Sequence, residues 1–235
     1  MMAQCLSETQ AREIMGAHVL GTEEAGRAWR GNPWFNKKLG ASPPIPYSAE
    51  LLAERRETHL LVLGLPRMTD GRPFTILNLR KRFGVRSDHG PCFSRIGLPS
   101  DGECAWTRRA VREGWFLISR EILPESRRNS FAACRGILAE RDLEMPFAVD
   151  AVYAAIFWEL LLPPSREAAQ ERMLRHTCTW CADEVEGHFL RVGYNQRHDG
   201  FHFLAYPPDA AHYDHGALAI VPPDASSVTE VLHSP

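Results

Sequence analysis

Helical periodicity dominates the first two thirds of the chain. Ser7 and Gln10 stand three residues apart, the spacing of a capping box, and predict a short helix that ends near Met15. Three more helices are expected to begin at residues that suit a helix start: Thr22, Ser48 and Thr75. Two longer helical patterns cover residues 130–142 and residues 146–162. The second is apolar on nearly every side, so it is predicted to be the central core helix, with Pro146 in its first turn.

Two strands are predicted among these helices, and a strand pair after them. The apolar run that follows His59 is too short for a helix and suits a buried strand. Residues 114–122 are rich in strand-forming side chains and give the second strand. Residues 188–206 are expected to form a hairpin that turns at Asp199 and Gly200, a pair typical of two-residue turns. In that register Tyr194 lies opposite Ala205.

The predicted hairpin has one apolar face and one polar face. The apolar face carries Leu190, Val192, Tyr194, Phe201, Phe203 and Ala205. The polar face carries Arg191, Asn195, Arg197, His202 and Tyr206. This is the pattern of a half-buried antiparallel pair. Because His198 and His202 fall on opposite faces, the hairpin imidazoles are not expected to share one ion.

The order of the elements predicts an α+β fold, in which the central apolar helix packs on a mainly antiparallel sheet with a C-terminal β-hairpin or meander. Residues 114–122 and the hairpin are expected to belong to that sheet. Residues 1–44 are predicted to be a helical and irregular segment, and residues 45–162 the α+β core. Residues 165–221 are predicted to be a β-rich part of the same compact unit, followed by a tail at residues 222–235.

The composition is that of a globular protein with a sizeable core: 235 residues, of which 44% are hydrophobic and 24% charged. Polar residues stand near the N-terminus where a signal peptide needs an apolar run. The longest apolar run, residues 151–158, is far shorter than the roughly 20 residues that span a bilayer. The six cysteines are scattered, which fits reduced thiols. These features predict a cytoplasmic protein that does not enter a membrane.

Charge is distributed unevenly behind a net charge of −2. Residues 67–135 carry 14 basic and 7 acidic side chains, whereas residues 136–235 carry 6 basic and 15 acidic side chains. Such asymmetry indicates an anionic partner, or two oppositely charged regions that face each other within one fold or within a homo-oligomer. The oligomeric state stays open.

The basic residues of the middle third are the first candidates for a partner-binding surface: Arg80, Lys81, Arg82, Arg86, Arg108, Arg109 and Arg112. Aromatic residues such as Phe83 and Trp106 stand nearby, and a basic groove with stacking rings holds single-stranded nucleic acid. The alternative is that rings of this region, Phe83, Trp115 and Phe116, belong to the core. An acidic protein surface is the other expected anionic partner.

Cysteine and histidine residues near the C-terminus are candidate metal ligands: His176, Cys178, Cys181, His212 and His215. Cys178 and Cys181 have the C-x-x-C spacing of a zinc knuckle. A second knuckle at zinc-finger spacing is missing, and no thioredoxin-like context favours a redox role. An ordinary buried strand explains these residues without an ion, so no cofactor is expected and zinc is the alternative.

Familiar catalytic signatures are absent from the sequence, including the nucleophile elbow, the P-loop, the dinucleotide fingerprint and the zinc-protease helix motif. Cys134 lies in an apolar helix and His59 opens a buried strand, and residues in such places are mostly structural. We therefore expect a non-enzymatic binding or accessory protein whose Arg-rich middle contacts nucleic acid or an acidic protein. The alternatives are a metal-dependent enzyme or zinc-stabilised module, and a homo-oligomer with charge-complementary surfaces.

Several strings in the chain occur together in the same order in a known family. They are "IPYSAELL" with "THLLV", "WFLISRE" with "LPES", "EMPFAVDAVYA", and "RVGYNQRHDGF" with "GALA". By these strings, which span residues 45–219, the chain resembles a family of uncharacterised bacterial intracellular proteins with no known activity. The resemblance implies a small α+β protein with a C-terminal strand pair and supplies no catalytic residues. In that family residues 176–181 correspond to a strand without paired cysteines, so the resemblance implies no family-wide metal site.

Overall fold

The computed structural model describes six segments of the chain: residues 5–29, 42–85, 91–94, 104–163, 172–195 and 200–223. These segments contain seven α-helices: α1 (Glu8–Met15), α2 (Thr22–Ala28), α3 (Ala49–Arg55), α4 (Ile76–Phe83), α5 (Ala105–Arg108), α6 (Phe131–Ala139) and α7 (Ala148–Leu161). They also contain eight β-strands: β1 (Val19–Leu20), β2 (His59–Gly64), β3 (Gly114–Ser119), β4 (Cys178–Val185), β5 (His188–Asn195), β6 (Gly200–Tyr206), β7 (His215–Gly216) and β8 (Ile220–Val221). The predicted α+β class is confirmed.

Capping residues set the starts of the helices. Ser7 forms the predicted capping box with Gln10 at the start of α1. The side chains of Ser48, Thr75 and Ser130 accept hydrogen bonds from the first-turn backbone of α3, α4 and α6. These starts confirm the sequence predictions, since each depends only on local spacing.

The start of α7 differs from the prediction. Phe147 is the N-cap, so Pro146 lies just outside the helix rather than in its first turn. The carbonyl of Pro146 accepts a hydrogen bond from the backbone nitrogen of Ala182 in β4, at 2.9 Å. This tertiary contact holds the proline against the sheet, and the placement of Pro146 in the first turn was wrong.

The strands form two four-stranded sheets, each mostly antiparallel. The first has the order β1-β2-β3-β8, with β1 parallel to β2. The second has the order β6-β5-β4-β7, with β7 parallel to β4. The expectation that residues 114–122 and the hairpin share one sheet is therefore wrong, because β3 pairs with β2 and β8 in the first sheet while the hairpin pairs with β4.

The hairpin forms, but its register differs from the prediction. Tyr194 pairs with Phe201 rather than with Ala205, and Asn195 pairs with Gly200. These pairs are shifted by four residues relative to the predicted register. The backbone of Phe201 is hydrogen-bonded to Cys92 and Ser94, which fixes where β6 begins. The shift is an even number of residues, so the predicted apolar and polar faces are kept.

Helix α7 is the centre of the core, as predicted. Its residues from Ala148 to Glu159 are all buried. It packs on β4 and β5 of the second sheet. The hydroxyl of Tyr153 donates to the carbonyl of Leu63 in β2 at 3.0 Å, and the Tyr153 ring stacks on Trp29 of the N-terminal region at 5.7 Å between centroids. The helix therefore contacts both sheets.

Some predictions fall outside the described residues: the basic residue Arg86, the turn residue Asp199 with its neighbours Arg197 and His198, and the tail beyond residue 223. The proposed division of the chain into parts stays a prediction. Among the described helices, none combines the length and the apolar character that a membrane crossing requires.

Candidate functional site

The basic residues predicted to contact a partner lie in two parts of the fold. One group forms the last turn of α4: Arg80, Lys81 and Arg82. The other group ends α5 or follows it: Arg108, Arg109 and Arg112. The rings that accompany them are not a stacking groove, because Trp106 is buried and Phe83 packs against the core. Trp115 and Phe116 are also buried, so the alternative that Phe83, Trp115 and Phe116 belong to the core is confirmed.

Two of these arginines pair with carboxylates of the acidic C-terminal part. Arg109 Nε lies 3.1 Å from Asp183 Oδ1, and Arg112 Nε lies 3.6 Å from Asp150 Oδ2. Both aspartate side chains are almost fully buried. Burial raises the pKa of each aspartate, and the facing guanidinium partly offsets that rise. Part of the charge difference between the basic middle third and the acidic C-terminal part is therefore neutralised by ion pairs within the chain.

Strand alternation in β4 separates the side chains of the two candidate cysteines. Cys178 and Cys181 are three residues apart on one strand, so their side chains leave opposite faces. Cys181 belongs to the main hydrophobic core. Cys178 lies on the other face, where His215 of β7 and Gly193 of β5 are its direct neighbours in the sheet. His176 is exposed two residues before β4.

Asp214 is the centre of a polar cluster on this second face. His212 Nδ1 lies 2.6 Å from Asp214 Oδ1, and His215 Nε2 lies 3.4 Å from the same oxygen. Cys178 Sγ lies 3.8 Å from Asp214 Oδ2, and the Cys178 backbone nitrogen donates to the Asp214 carbonyl at 2.8 Å. His202 Nε2 is 3.6 Å from Cys178 Sγ. The fold thus brings together three of the five predicted ligands, Cys178, His212 and His215, around an aspartate.

Arg191 supplies the positive charge next to this cluster. Its Nη1 lies 3.2 Å from Asp214 Oδ1 and also contacts His215 Nε2, while its Nη2 donates to the Tyr206 hydroxyl at 3.2 Å. The guanidinium lies over the Tyr206 ring at 4.6 Å from its centroid. Arg191 is buried, so this arrangement compensates the Asp214 carboxylate inside the protein.

The ionisation states of the cluster suit cation binding. Burial alone would raise the pKa of Asp214, but the hydrogen bond from His212 and the charge of Arg191 hold it below its usual range. Burial and the nearby Arg191 lower the pKa of His215 to about 4. Burial raises the pKa of Cys178 to about 12, with a small opposing effect of Arg191. At neutral pH the cluster therefore offers one carboxylate, a neutral buried imidazole and a protonated thiol.

The distances within the cluster are close to those of a tetrahedral metal site. Ligand atoms of His212, Asp214 and His215 all lie within 4.8 Å of one another. Zinc bonds of about 2.0–2.3 Å place tetrahedral ligand atoms roughly 3.3–3.8 Å apart, so movements of about 1 Å would close the set. The cluster is open on one side, because the His212 side chain is 43% exposed.

Sequence reasoning missed the residues that complete the cluster: Arg191, His202, Tyr206 and Asp214. Two features of the sequence could have indicated these residues. Asp214 stands between the two candidate histidines in "HYDHG". The other three were already grouped by the predicted polar face of the hairpin, and polar residues on a face that turns out to be buried require partners.

Comparison of the chain with protein-family models, with curated proteins and with solved structures gives no match. The resemblance to a bacterial family therefore stays a prediction.

Proposed function

We propose that the protein binds a divalent transition metal, zinc by preference, at His212, Asp214 and His215. The observation that carries the proposal is the convergence of two imidazoles and a carboxylate within 4.8 Å. Nitrogen and oxygen ligands of this kind suit zinc. Cys178 adds a sulfur atom 3.8 Å from Asp214 Oδ2, and a bound cation would favour its thiolate form.

Whether the site is structural or hydrolytic depends on the fourth ligand of the ion. If Cys178 binds the ion, coordination is complete and the zinc stabilises the C-terminal sheet. If Cys178 stays a thiol, the fourth position is open to water on the exposed side of His212, which is the arrangement of hydrolytic zinc sites. Cobalt substitution separates the two cases, since only a cysteine ligand gives a thiolate-to-cobalt charge-transfer band. A thiolate ligand at Cys178 would support a cytoplasmic location, since thiols stay reduced there.

Zinc binding to the purified, chelator-treated protein tests the proposal. We expect one equivalent of zinc to bind, and Asp214→Ala to weaken binding by at least about 100-fold, since even residues that only support ligands cost 10–100-fold. His188→Ala is the matched control, because His188 is exposed on β5 and its imidazole is hydrogen-bonded to the backbone of Glu186, outside the Asp214 cluster. Retention of less than about a tenth of an equivalent after dialysis, or equal loss in His188→Ala, contradicts the proposal.

Arg191 gives a sharper test, because its guanidinium contacts the same Asp214 and His215 atoms that the metal would bind. The metal and the guanidinium therefore compete. Removing the guanidinium with Arg191→Gln should raise zinc affinity about tenfold, or roughly 1.4 kcal/mol. A purely structural ion-pair network predicts the opposite: Arg191→Gln would only destabilise the protein, with no gain in zinc binding.

A second candidate function is contact with an anionic partner through the last turn of α4. Arg80 and Lys81 have no ion pair among the described contacts, and Lys81 is exposed. Binding of single-stranded RNA should then weaken steeply with salt and be lost in Arg80→Ala with Lys81→Ala. Arg109→Ala should leave the affinity for RNA unchanged, since Arg109 already pairs with Asp183. No binding at low salt would exclude the nucleic-acid partner.

A further inference from the structure

A cavity of about 390 Å³ lies at one end of the first sheet, and none of its lining residues belongs to the Asp214 cluster. His59 begins β2 and Ser119 ends β3, and the two residues are paired across the strands. The remaining wall comes from the end of α3, the segment after β3 and Arg141. Volumes of about 300–1,000 Å³ are typical of small-molecule sites.

The hydrogen bonds around His59 leave one of its ring nitrogens without a partner. Thr58 Oγ1 donates to the Arg55 carbonyl at 3.3 Å and lies 2.8 Å from His59 Nδ1. In the tautomer that carries its proton on Nδ1, Nδ1 donates to Thr58 Oγ1 and Nε2 is left as an acceptor, and a ligand with a hydrogen-bond donor would select this tautomer. His59 Nε2 is buried and has no partner among the described residues, and the ring is 2% exposed. Such an acceptor is costly unless a ligand supplies a donor.

Positive charge stands next to this acceptor. The Arg120 backbone is hydrogen-bonded to the Thr58 carbonyl at 2.8 Å, so Arg120 is held beside His59. Its guanidinium contacts His18 Nε2 at 2.9 Å and lies over the Trp158 ring. Among the described contacts Arg120 has no carboxylate partner. Arg55 adds a buried Nε without a partner.

Other charges around the cavity are already neutralised. Arg141 contacts Glu125, and the Nη2 of Arg55 lies 3.2 Å from Glu54. The two other carboxylates of the lining also have partners, since Glu57 lies 3.0 Å from Arg56 and Glu121 lies 4.0 Å from Arg127. The cavity therefore offers one uncompensated guanidinium and one unpartnered acceptor. Its apolar wall comes from Ile122, Leu123 and Pro124.

We infer that this cavity binds a small organic carboxylate that carries a hydroxyl or amino group next to an aliphatic body. The carboxylate binds Arg120 and the Nε of Arg55, the hydroxyl or amino group donates to His59 Nε2, and the aliphatic part lies on Ile122 and Leu123. Burial and the charge of Arg55 keep the His59 pKa near about 4, so the ring is neutral and accepts at physiological pH. The inference does not depend on the metal site.

Two acids that differ only in one hydroxyl test the inference: hydroxyisocaproate and isocaproate, titrated calorimetrically into the full-length protein. Hydroxyisocaproate should bind at least about tenfold more tightly, because isocaproate leaves His59 Nε2 without a donor. Arg120→Met should weaken both acids about tenfold or more. Arg135→Met is the matched control, because Arg135 is exposed on α6 and does not line the cavity, so both affinities should stay unchanged.

His59→Phe gives the specific signature, since it removes the acceptor and keeps a ring. It should lower the affinity for hydroxyisocaproate to that for isocaproate and leave isocaproate unaffected. Equal binding of the two acids by the wild-type protein, or no binding of either, would overturn the inference even if His59→Phe does not fold. Asp214→Ala should bind both acids normally, so loss of the metal site and loss of this site are distinguishable.

Discussion

Asp183 joins Arg109 to the start of the core helix. Its Oδ1 lies 3.1 Å from Arg109 Nε, and its Oδ2 accepts a hydrogen bond from the backbone nitrogen of Ala148 at 2.7 Å. One carboxylate of the acidic C-terminal part thus neutralises a basic residue of the middle third and satisfies the first turn of α7, where negative charge is favourable. Charge pairing within the chain is therefore part of how this fold is held together.

Asp183→Ala should lower the free energy of unfolding by about 2 kcal/mol, because it removes a helix-start hydrogen bond and leaves Arg109 without its partner. Glu184→Ala is the control on the neighbouring exposed residue and should change stability by no more than about 0.5 kcal/mol. Urea denaturation of both variants measures the difference. Equal stabilities would mean that the buried carboxylate does not support α7.

Stability should depend on the protonation of Glu159 in α7. Burial raises the pKa of Glu159 to about 6, and Arg172 at 3.0 Å opposes that rise. The raised pKa means that the folded state binds the proton more tightly than the unfolded state. This contribution is fully present below about pH 4.5 and is lost as the pH rises through about 6, a loss of roughly 2 kcal/mol.

Denaturation curves between pH 4 and pH 7.5 for the wild type and Glu159→Gln check this dependence. The unfolding free energy of Glu159→Gln minus that of the wild type should increase by roughly 2 kcal/mol from pH 4 to pH 7.5. Glu113→Gln, at an exposed residue, should follow the wild type. A Glu159→Gln variant with unchanged pH dependence would contradict the assignment.

Gly193 controls the space around Cys178. A Cβ atom at this position would lie 2.5 Å from Cys178 Sγ and 3.1 Å from the carbonyl of Thr177. Gly193→Ala should therefore displace the thiol, lower stability by about 1–3 kcal/mol and, if Cys178 is the fourth ligand, weaken zinc binding about tenfold. Isothermal titration with zinc and thermal unfolding measure both effects.

Gly136 provides the matched control for that substitution. It lies within α6, and a Cβ atom there would meet nothing within 4 Å. Gly136→Ala should stabilise the protein by about 0.5–1 kcal/mol, since alanine is the better helix former, and leave zinc binding unchanged. Full zinc affinity in Gly193→Ala would argue against coordination by Cys178.

Thiol reactivity should divide the six cysteines into two groups. Cys5 and Cys104 are half-buried, whereas the other four are buried: Cys92, Cys134, Cys178 and Cys181. Burial also raises the pKa of Cys134 to about 11 and that of Cys178 to about 12, which removes the reactive thiolate at pH 8. We expect two fast-reacting thiols in the native protein and six in guanidinium chloride, measured with a chromogenic disulfide. Fast modification of Cys178 would show that the β4 face opens.

Local chemistry allowed the helices and several strands to be predicted from the sequence. Ser7, Ser48 and Thr75 specify their helix starts through hydrogen bonds that span three residues, and the all-round apolar pattern of residues 146–162 correctly indicates a buried helix. The two faces of the hairpin also follow from alternation alone. All of these depend on interactions between near neighbours in the chain, which spacing in the sequence records.

The tertiary structure alone decided the rest. The register of the hairpin depends on hydrogen bonds between Phe201 and residues 92–94, a hundred residues away, which no turn signal encodes. The partners of Arg109 and Arg112 depend on where β4 places the carboxylate of Asp183 and α7 that of Asp150. Cys178 and Cys181 resemble a metal-binding pair in the sequence, but strand alternation places their side chains on opposite faces of the sheet. The pairing of β7 with β4 places Cys178 next to Asp214 instead. Such a site forms through contacts between residues that are distant in the chain. Local sequence patterns therefore indicate its residue types but not their arrangement.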